Sequence, residues 1–300
     1  MMSELSDKKV KKRLNNIIQK SQHQYLLGLG SYGCVRKFEY NTDGHKNVAV
    51  KLFRSSEKDE AFKTRELCPL INTRNDFVKI IMLDNVPLVN EKCVVMELCD
   101  YDLYKLITDW IENDTTDTSF KLTLYKQILG AVNFLHENMI AHRDLKPQNI
   151  MILNNQIKIG DYGSIIFMDD PNGTCEGYVS TGKYSNPDVI SGNPYNSFEL
   201  DIWALGIIII EMLTGDCPWS SIFEYDCNRN YECWKSYMSS GNKQVLEYCF
   251  PLNKMIKNHE KIFDFVCTSM LCHSSFYIDK MDNTYQKSLS DIITFFNGLV

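Results

Sequence analysis

Glycine recurs at Gly28, Gly30 and Gly33 within LGLGSYGCV, Leu27 to Val35, a Gly-x-Gly-x-x-Gly spacing suited to phosphate chemistry. Lacking a Cβ, such backbone can come close enough for its N–H groups to meet phosphate oxygens. The same spacing marks dinucleotide folds, where the glycines lead from a strand into a helix. Here Val35 to Tyr40 reads on as strand, so the glycines form a hairpin tip. Sixteen residues beyond Val35, Lys51 ends the run VAVK. A lysine on a strand flanked by Val48, Ala49 and Val50 turns one charge inward, which demands an anion and a carboxylate partner. Glu66, in KTRELCPL, is the expected carboxylate; Glu60 competes, and spacing alone does not exclude it. Farther on, HRDLKPQN spans His142 to Asn149, and Asp161-Tyr162-Gly163 follows twelve residues after Asn149.

These residues need a scaffold, and the pattern changes character along the chain. Tyr25 to Leu29, Cys34 to Tyr40, Asn47 to Phe53, Val78 to Leu83 and Lys92 to Leu98 read as short strands rich in Val, Ile and aromatics. One helix, about Lys58 to Leu70, interrupts them. From Leu103 the pattern turns helical, with Leu122 to Asn138, Asp201 to Thr214, Ile262 to Leu271 and Leu289 to Phe296 as candidates. The expected class is therefore α+β: a small antiparallel-sheet lobe over about 21–98 and a larger helical lobe over about 99–300, with the boundary near 97–102. Residues 1–20 form a basic arm, with five positive charges between Lys8 and Arg13.

The formal charge of −6, from 32 basic and 38 acidic side chains in 300 residues, argues against a protein that coats nucleic acid. No stretch approaches the roughly 20 apolar residues that span a bilayer; the greasiest run, Ile202 to Leu213, contains Glu211 and reads as a buried helix. Eleven cysteines without paired C-x₂-C spacing read as mostly free thiols in a reducing compartment rather than as a metal site.

Taken in order, the Gly-rich hairpin, VAVK, HRDLKPQN and Asp161-Tyr162-Gly163 resemble the eukaryotic-type protein kinases, from about Leu27 to Thr214. The resemblance implies a bilobal kinase fold and transfer of the ATP γ-phosphate to serine or threonine hydroxyls of protein substrates. It implies Asp144 as the catalytic base, Lys146 as the residue that steadies the γ-phosphate, and Lys51 and Glu66 as an ion pair. Asn149 and Asp161 would hold Mg²⁺. ATP would meet Leu27, Gly28, Leu29, Gly30, Ser31, Tyr32, Gly33, Cys34, Val35, Ala49 and Lys51. The hinge would be VVMELCDYDL, with Met96 as gatekeeper, the backbones of Glu97 and Cys99 on adenine, and Asp102 facing the ribose or capping the next helix. Asp201, in DIWALG, would brace the catalytic loop, and Lys146 within DLKPQN resembles the serine/threonine subclass.

Departures from the family pattern carry their own expectations. Tyr162 stands where Phe is usual, so its hydroxyl needs a partner if buried. Asn186-Pro187-Asp188 replaces Ala-Pro-Glu, with Lys287 as a substitute for the arginine that usually pairs there. Thr181 aligns with a threonine that contacts the catalytic Asp and Lys. Glu176 sits where a phosphothreonine is common, Tyr178 at a second phosphosite, and Arg143 would grip the charge Glu176 supplies. Gly182, Lys183 and Ser185 depart from proline-directed kinases, and no obligatory cyclin, nucleic acid or membrane partner is expected. A monomer in the cytoplasm or nucleus is expected. The alternatives are a pseudokinase-type nucleotide-binding scaffold, against which the presence of Lys51, Asp144, Asn149 and Asp161 argues, and a small-molecule kinase.

Overall fold

The computed structural model describes residues 26–30, 33–42, 45–53, 58–86, 91–113, 117–177, 179–219, 229–247, 249–271 and 288–299. The basic arm, Ser31, Tyr32, Tyr178 and Lys287 lie outside them. The chain is α+β and divides into two compact units, one holding residues up to Asp100 together with Gly160–Gly163, the other holding Tyr101–Ile159 and Ser164 onward.

In the first unit, strands β1 (Leu26–Gly30), β2 (Gly33–Thr42), β3 (His45–Phe53), β4 (Ile80–Val86) and β5 (Glu91–Glu97) form an antiparallel sheet ordered β1-β2-β3-β5-β4. Side chains alternate between faces of a strand, and β3 shows what that does. Val48, Val50 and Leu52 join Phe38, Cys93 and Val95 in a buried cluster. Ala49 and Lys51 are thereby turned to the other face. Register places Val35 and Val94 opposite Lys51, and Met96 opposite Ala49. One face of the sheet thus gathers Val35, Ala49, Lys51 and Met96. Cys34 pairs with Leu52 and packs against the core cluster, so its side chain is not among them. Helix α1 (Lys58–Ile71) buries Thr64, Leu67 and Ile71 along one stripe.

The second unit is mostly helical. Its helices are α2 (Leu103–Glu112), α3 (Thr118–Glu137), α4 (Pro187–Ser191), α5 (Ser197–Thr214), α6 (Arg229–Ser240), α7 (Phe250–Ser269) and α8 (Leu289–Asn297). Short strands support them: β6 (Tyr101–Asp102) pairs with β8 (Ile150–Leu153), β8 with β9 (Gln156–Ile159), and β7 (Ile140–Ala141) with β10 (Ile166–Phe167). Helix α5 is buried on every side from Leu200 to Thr214, as its unbroken apolar run predicts. It starts four residues earlier than the apolar run suggests, because Asn196 caps the amides of Phe198 and Glu199. Gly206 lets this helix touch its neighbour: a Cβ there would stand 2.8 Å from a Leu271 methyl.

Two helices differ from the sequence expectation. Helix α6, rich in Ser and Asn, hides its pattern in three aromatics, Tyr231, Trp234 and Tyr237, all buried. Helix α7 begins twelve residues before the expected Ile262, since its polar first half, NKMIKNHEK, carries little apolar signal. Trp203, Trp219, Trp234 and Tyr231 interlock by edge, tilted and stacked contacts, with ring centroids 5.2–6.3 Å apart. The nine described cysteines are free thiols, and no described helix is long and apolar enough to cross a membrane.

Candidate functional site

The loop His142–Asn149 leaves β7 and is shaped from outside by one carboxylate. Asp201, fully buried in the first turns of α5, accepts from the amides of His142 (2.8 Å) and Arg143 (2.7 Å) and meets His136 Nε2 at 2.9 Å. Those bonds hold Arg143 at φ +65°, a left-handed conformation that L side chains adopt at a cost. The loop consequently turns back on itself and brings Asp144, Lys146 and Asn149 together.

Three donors converge on Asp144. Thr181 Oγ1 donates to its Oδ1 at 2.9 Å, Lys146 Nζ to its Oδ2 at 2.7 Å, and Asn149 Nδ2 to the same Oδ2 at 3.0 Å. Lys146 Nζ also donates to Thr181 Oγ1 at 2.8 Å, and Asn149 Nδ2 to the Asp144 carbonyl at 2.7 Å. Asp144 and Asn149 are 8 % and 6 % exposed, so the network sits in low dielectric where such bonds are strong. A carboxylate fixed by three oriented donors cannot rotate, which is what directed proton acceptance or hydroxyl orientation requires. Thr181 comes from the far side of the sequence, held at the N-cap of the short turn Gly182–Tyr184.

In the first unit, Lys51 Nζ bonds Asp161 Oδ1 at 2.7 Å. Asp161 has φ +57°, a second non-glycine residue in the left-handed region. The next residue answers the expectation about its hydroxyl: Tyr162 is 4 % exposed and donates to the Val78 carbonyl at 3.0 Å. Burial pushes its phenol well above the ordinary value.

Several expected placements are corrected. Glu66 is exposed on α1 and is not the carboxylate that Lys51 meets; at 100° per residue it falls off the stripe of Thr64, Leu67 and Ile71. The competing Glu60 has its side chain outside the described ones. Arg143 does not grip Glu176, which is exposed. Its Nε donates to the Ser164 carbonyl at 2.8 Å and its guanidinium to the Tyr195 hydroxyl at 3.2 Å. Tyr195 reaches it because a two-way backbone bridge to Cys175 ties down the turn before α5. Asp102 is the N-cap of α2, accepting from the Lys105 amide at 2.7 Å. Asn186 caps α4 in the same way, accepting from Val189 at 3.1 Å, with Pro187 at the first helical position.

Of the remaining hinge and hairpin residues, Leu27 is half exposed, Gly28 pairs with Val35, Leu29 with Cys34 and Gly30 with Gly33. Glu97 is buried and doubly tied to Lys79, its amide donating to the Lys79 carbonyl at 3.0 Å and its carboxylate accepting from the Lys79 amide at 2.7 Å. Cys99 is half-buried.

Three residues that the sequence reading passed over belong to this framework. His136 and Tyr195 each contact a member of the loop system and lie six residues before His142 and Asp201 respectively, but a lone His or Tyr gives no spacing signal. Tyr184 donates to Glu211 Oε2 at 2.7 Å inside the second unit, and burial lifts that carboxyl above its ordinary range.

A family model described as "Protein kinase domain" matches residues 21–277. Among curated relatives, "Probable cyclin-dependent kinase 8" of Dictyostelium discoideum is 30 % identical over 212 residues, 66 % of this chain and 56 % of that protein. "Cyclin-dependent kinase-like 1" of Caenorhabditis elegans is 34 % identical over 206 residues, 67 % of this chain and 56 % of that one. "Serine/threonine protein kinase OSK3" of Oryza sativa subsp. indica is 29 % identical over 199 residues, 64 % and 38 %. The chain thus spans little more than half the length of the first two relatives, and less of the third. With the matched region enclosing both the Lys51–Asp161 pair and the Asp144 network, the chain belongs to the protein kinase domain family.

Proposed function

We propose that this chain is an ATP-dependent protein-serine/threonine kinase. The observation that carries this reading is the set of three donors on Asp144, from Thr181, Lys146 and Asn149. In the proposed step the substrate hydroxyl oxygen forms a bond to the γ-phosphorus while the bond from that phosphorus to the β–γ bridging oxygen breaks and ADP leaves. The hydroxyl proton passes to Asp144. Lys146 lies beside Asp144 with its ammonium placed to offset negative charge on the transferred group. Lys51 supplies the cation for the nucleotide phosphates, and the sheet face of Val35, Ala49 and Met96 is the apolar surface offered to adenine.

Asn149 and Asp161 fit Mg²⁺ by donor chemistry: a side-chain carbonyl oxygen and a carboxylate are the hard oxygen ligands it prefers. When bound with ATP, the cation would supply charge neutralisation on the phosphates. Protein hydroxyls rather than small molecules are favoured as acceptors because Thr181, in the segment after Asp161, is tied directly to Asp144 and Lys146.

The test is incorporation of label from γ-labelled ATP with Mg²⁺ into generic protein substrates, comparing the protein with its Asp144→Asn variant. Loss of about 10²–10⁴-fold in kcat is expected. Equal incorporation by both would remove the enzyme reading and leave a nucleotide-binding scaffold.

A further inference from the structure

Far along the second unit, helices α2, α3, α5 and α7 line a half-open cavity of about 620 Å³, a volume typical of small-molecule sites. One wall is apolar, made by Ile107, Trp110, Met212 and Leu213. Gly215, at φ +85°, lets Ile111 close that wall: a Cβ there would stand 2.7 Å from Ile111 Cγ1. None of these residues takes part in the Asp144 network.

The polar side of the cavity is cationic. Lys121 is 9 % exposed and lines the space, yet its ammonium makes no hydrogen bond or ion pair among the described residues. Its contact is the Trp110 ring, 4.9 Å from the centroid. Lys254 donates to the Thr214 carbonyl at 2.7 Å. His259 joins them at a break in α7, where φ −144° and ψ 42° interrupt the helix. The carboxylate in the lining is Asp216, and Asp117 acts on Lys121 from outside it. Burial, and then Lys254, hold the Lys121 ammonium below the ordinary lysine value against an upward pull from Asp117. His259 is pushed down by burial and by both lysines. The Lys121 ammonium lines the cavity over the Trp110 ring, with Asp117 acting on it only from outside, so an anion entering the cavity would find a cation free to pair with it.

We infer that this cavity is a binding site for a small organic monoanion with an apolar body, its carboxylate on Lys121 and its body against Trp110, Ile107 and Met212. Two ammonium groups face one lining carboxylate, so one negative charge balances the site and a phosphate dianion exceeds it. The apolar wall excludes simple inorganic anions as the best occupants, since they would leave it in contact with nothing.

The probes are naphthalene-2-carboxylate and its neutral isostere naphthalene-2-carboxamide, titrated calorimetrically into the full chain with and without saturating ATP. Saturable carboxylate binding that ATP does not displace is expected, with the carboxamide about tenfold weaker or worse, the discrimination expected of one well-placed charge pair. Lys121→Met should lose at least about tenfold in carboxylate affinity while keeping phosphoryl transfer within about twofold. Absence of saturable binding, displacement by ATP, equal affinity for the two probes, or undiminished affinity in Lys121→Met would each overturn the assignment. The two-probe comparison decides even if Lys121→Met fails to fold, and none of these readings depends on catalytic turnover.

Discussion

Asp201→Asn removes one acceptor from the centre of the His142–Asn149 loop while leaving size and shape in place. Both carboxylate oxygens are used in the folded protein, Oδ1 by the Arg143 amide and Oδ2 by the His142 amide and His136. Asparagine keeps one oxygen and turns an NH₂ group toward a backbone donor. A hydrogen bond to a charged group contributes about 1.5–3 kcal/mol, and a buried amide left without an acceptor costs about as much again as a neutral bond. With Asp201 fully buried, solvent cannot compensate, so the loss should be about 3 kcal/mol. For a domain of this size that is a Tm lowered by about 6–10 °C. The functional consequence should be larger than the stability change suggests, because Arg143 at φ +65° is held by that same bond and Asp144 follows it. A displacement of about 1 Å in a positioned group costs up to about 10²-fold in rate. The assay is differential scanning calorimetry paired with kcat/KM at a temperature well below both transitions. A variant melting within about 2 °C of the parent, with unchanged kcat/KM, would show that Asp201 does not hold the loop and would refute the argument.

Other perturbations test neighbouring links. Thr181→Ala should lower kcat by about tenfold or more with KM for ATP little changed, and Thr181→Ser should recover most of it, since a hydroxyl bridging Asp144 and Lys146 is what is needed; steady-state kinetics separates the two parameters. Tyr162→Phe, a change toward the usual family residue, should cost about 1 kcal/mol in urea unfolding because the Val78 carbonyl loses its donor; an equal or higher midpoint would contradict that. Glu211 gives a pH signature. Burial raises its carboxyl above 4.5, so the stability contributed by the neutral form is whole below that pH and is lost as pH climbs through the raised value. Glu211→Gln should flatten the fall in unfolding free energy as pH rises above 4.5, whereas parallel profiles for the two proteins would count against the assignment.

The sheet was legible because β-branched residues alternate along it and turns punctuate it; the strands fall within three residues of their expected bounds. The apolar run of α5 was equally plain. Helix α6 was not, because its buried residues are aromatics set among Ser, Glu and Lys, and the first half of α7 was not, because Leu252 and Met255 stand among Asn and Lys, which read as loop. At the site, the resemblance to the protein kinases pointed to Lys51, Asp144, Lys146, Asn149 and Asp161, but neither motif nor spacing says which way a helix is turned. Glu66 against Glu60 is that ambiguity: two glutamates six residues apart on one helix differ by about a third of a turn, and the exposure of Glu66 follows from burial of Thr64, Leu67 and Ile71 on the neighbouring face. Arg143 shows a second limit. Its tie to Tyr195 spans 52 residues and depends on the bridge between Cys175 and Tyr195, a tertiary event with no local signature.

The carboxylate of Asp201 also has a kinetic consequence for the loop it serves. Loop amides ordinarily trade their hydrogens with solvent through small local openings. The His142 and Arg143 amides end on a fully buried carboxylate rooted in a helix that is buried on every side, so any opening that frees them must break charge-assisted bonds away from water. They should therefore exchange more slowly than the loop around them. The segment that must hold its shape for chemistry is in this way longer-lived than its place in a loop would suggest.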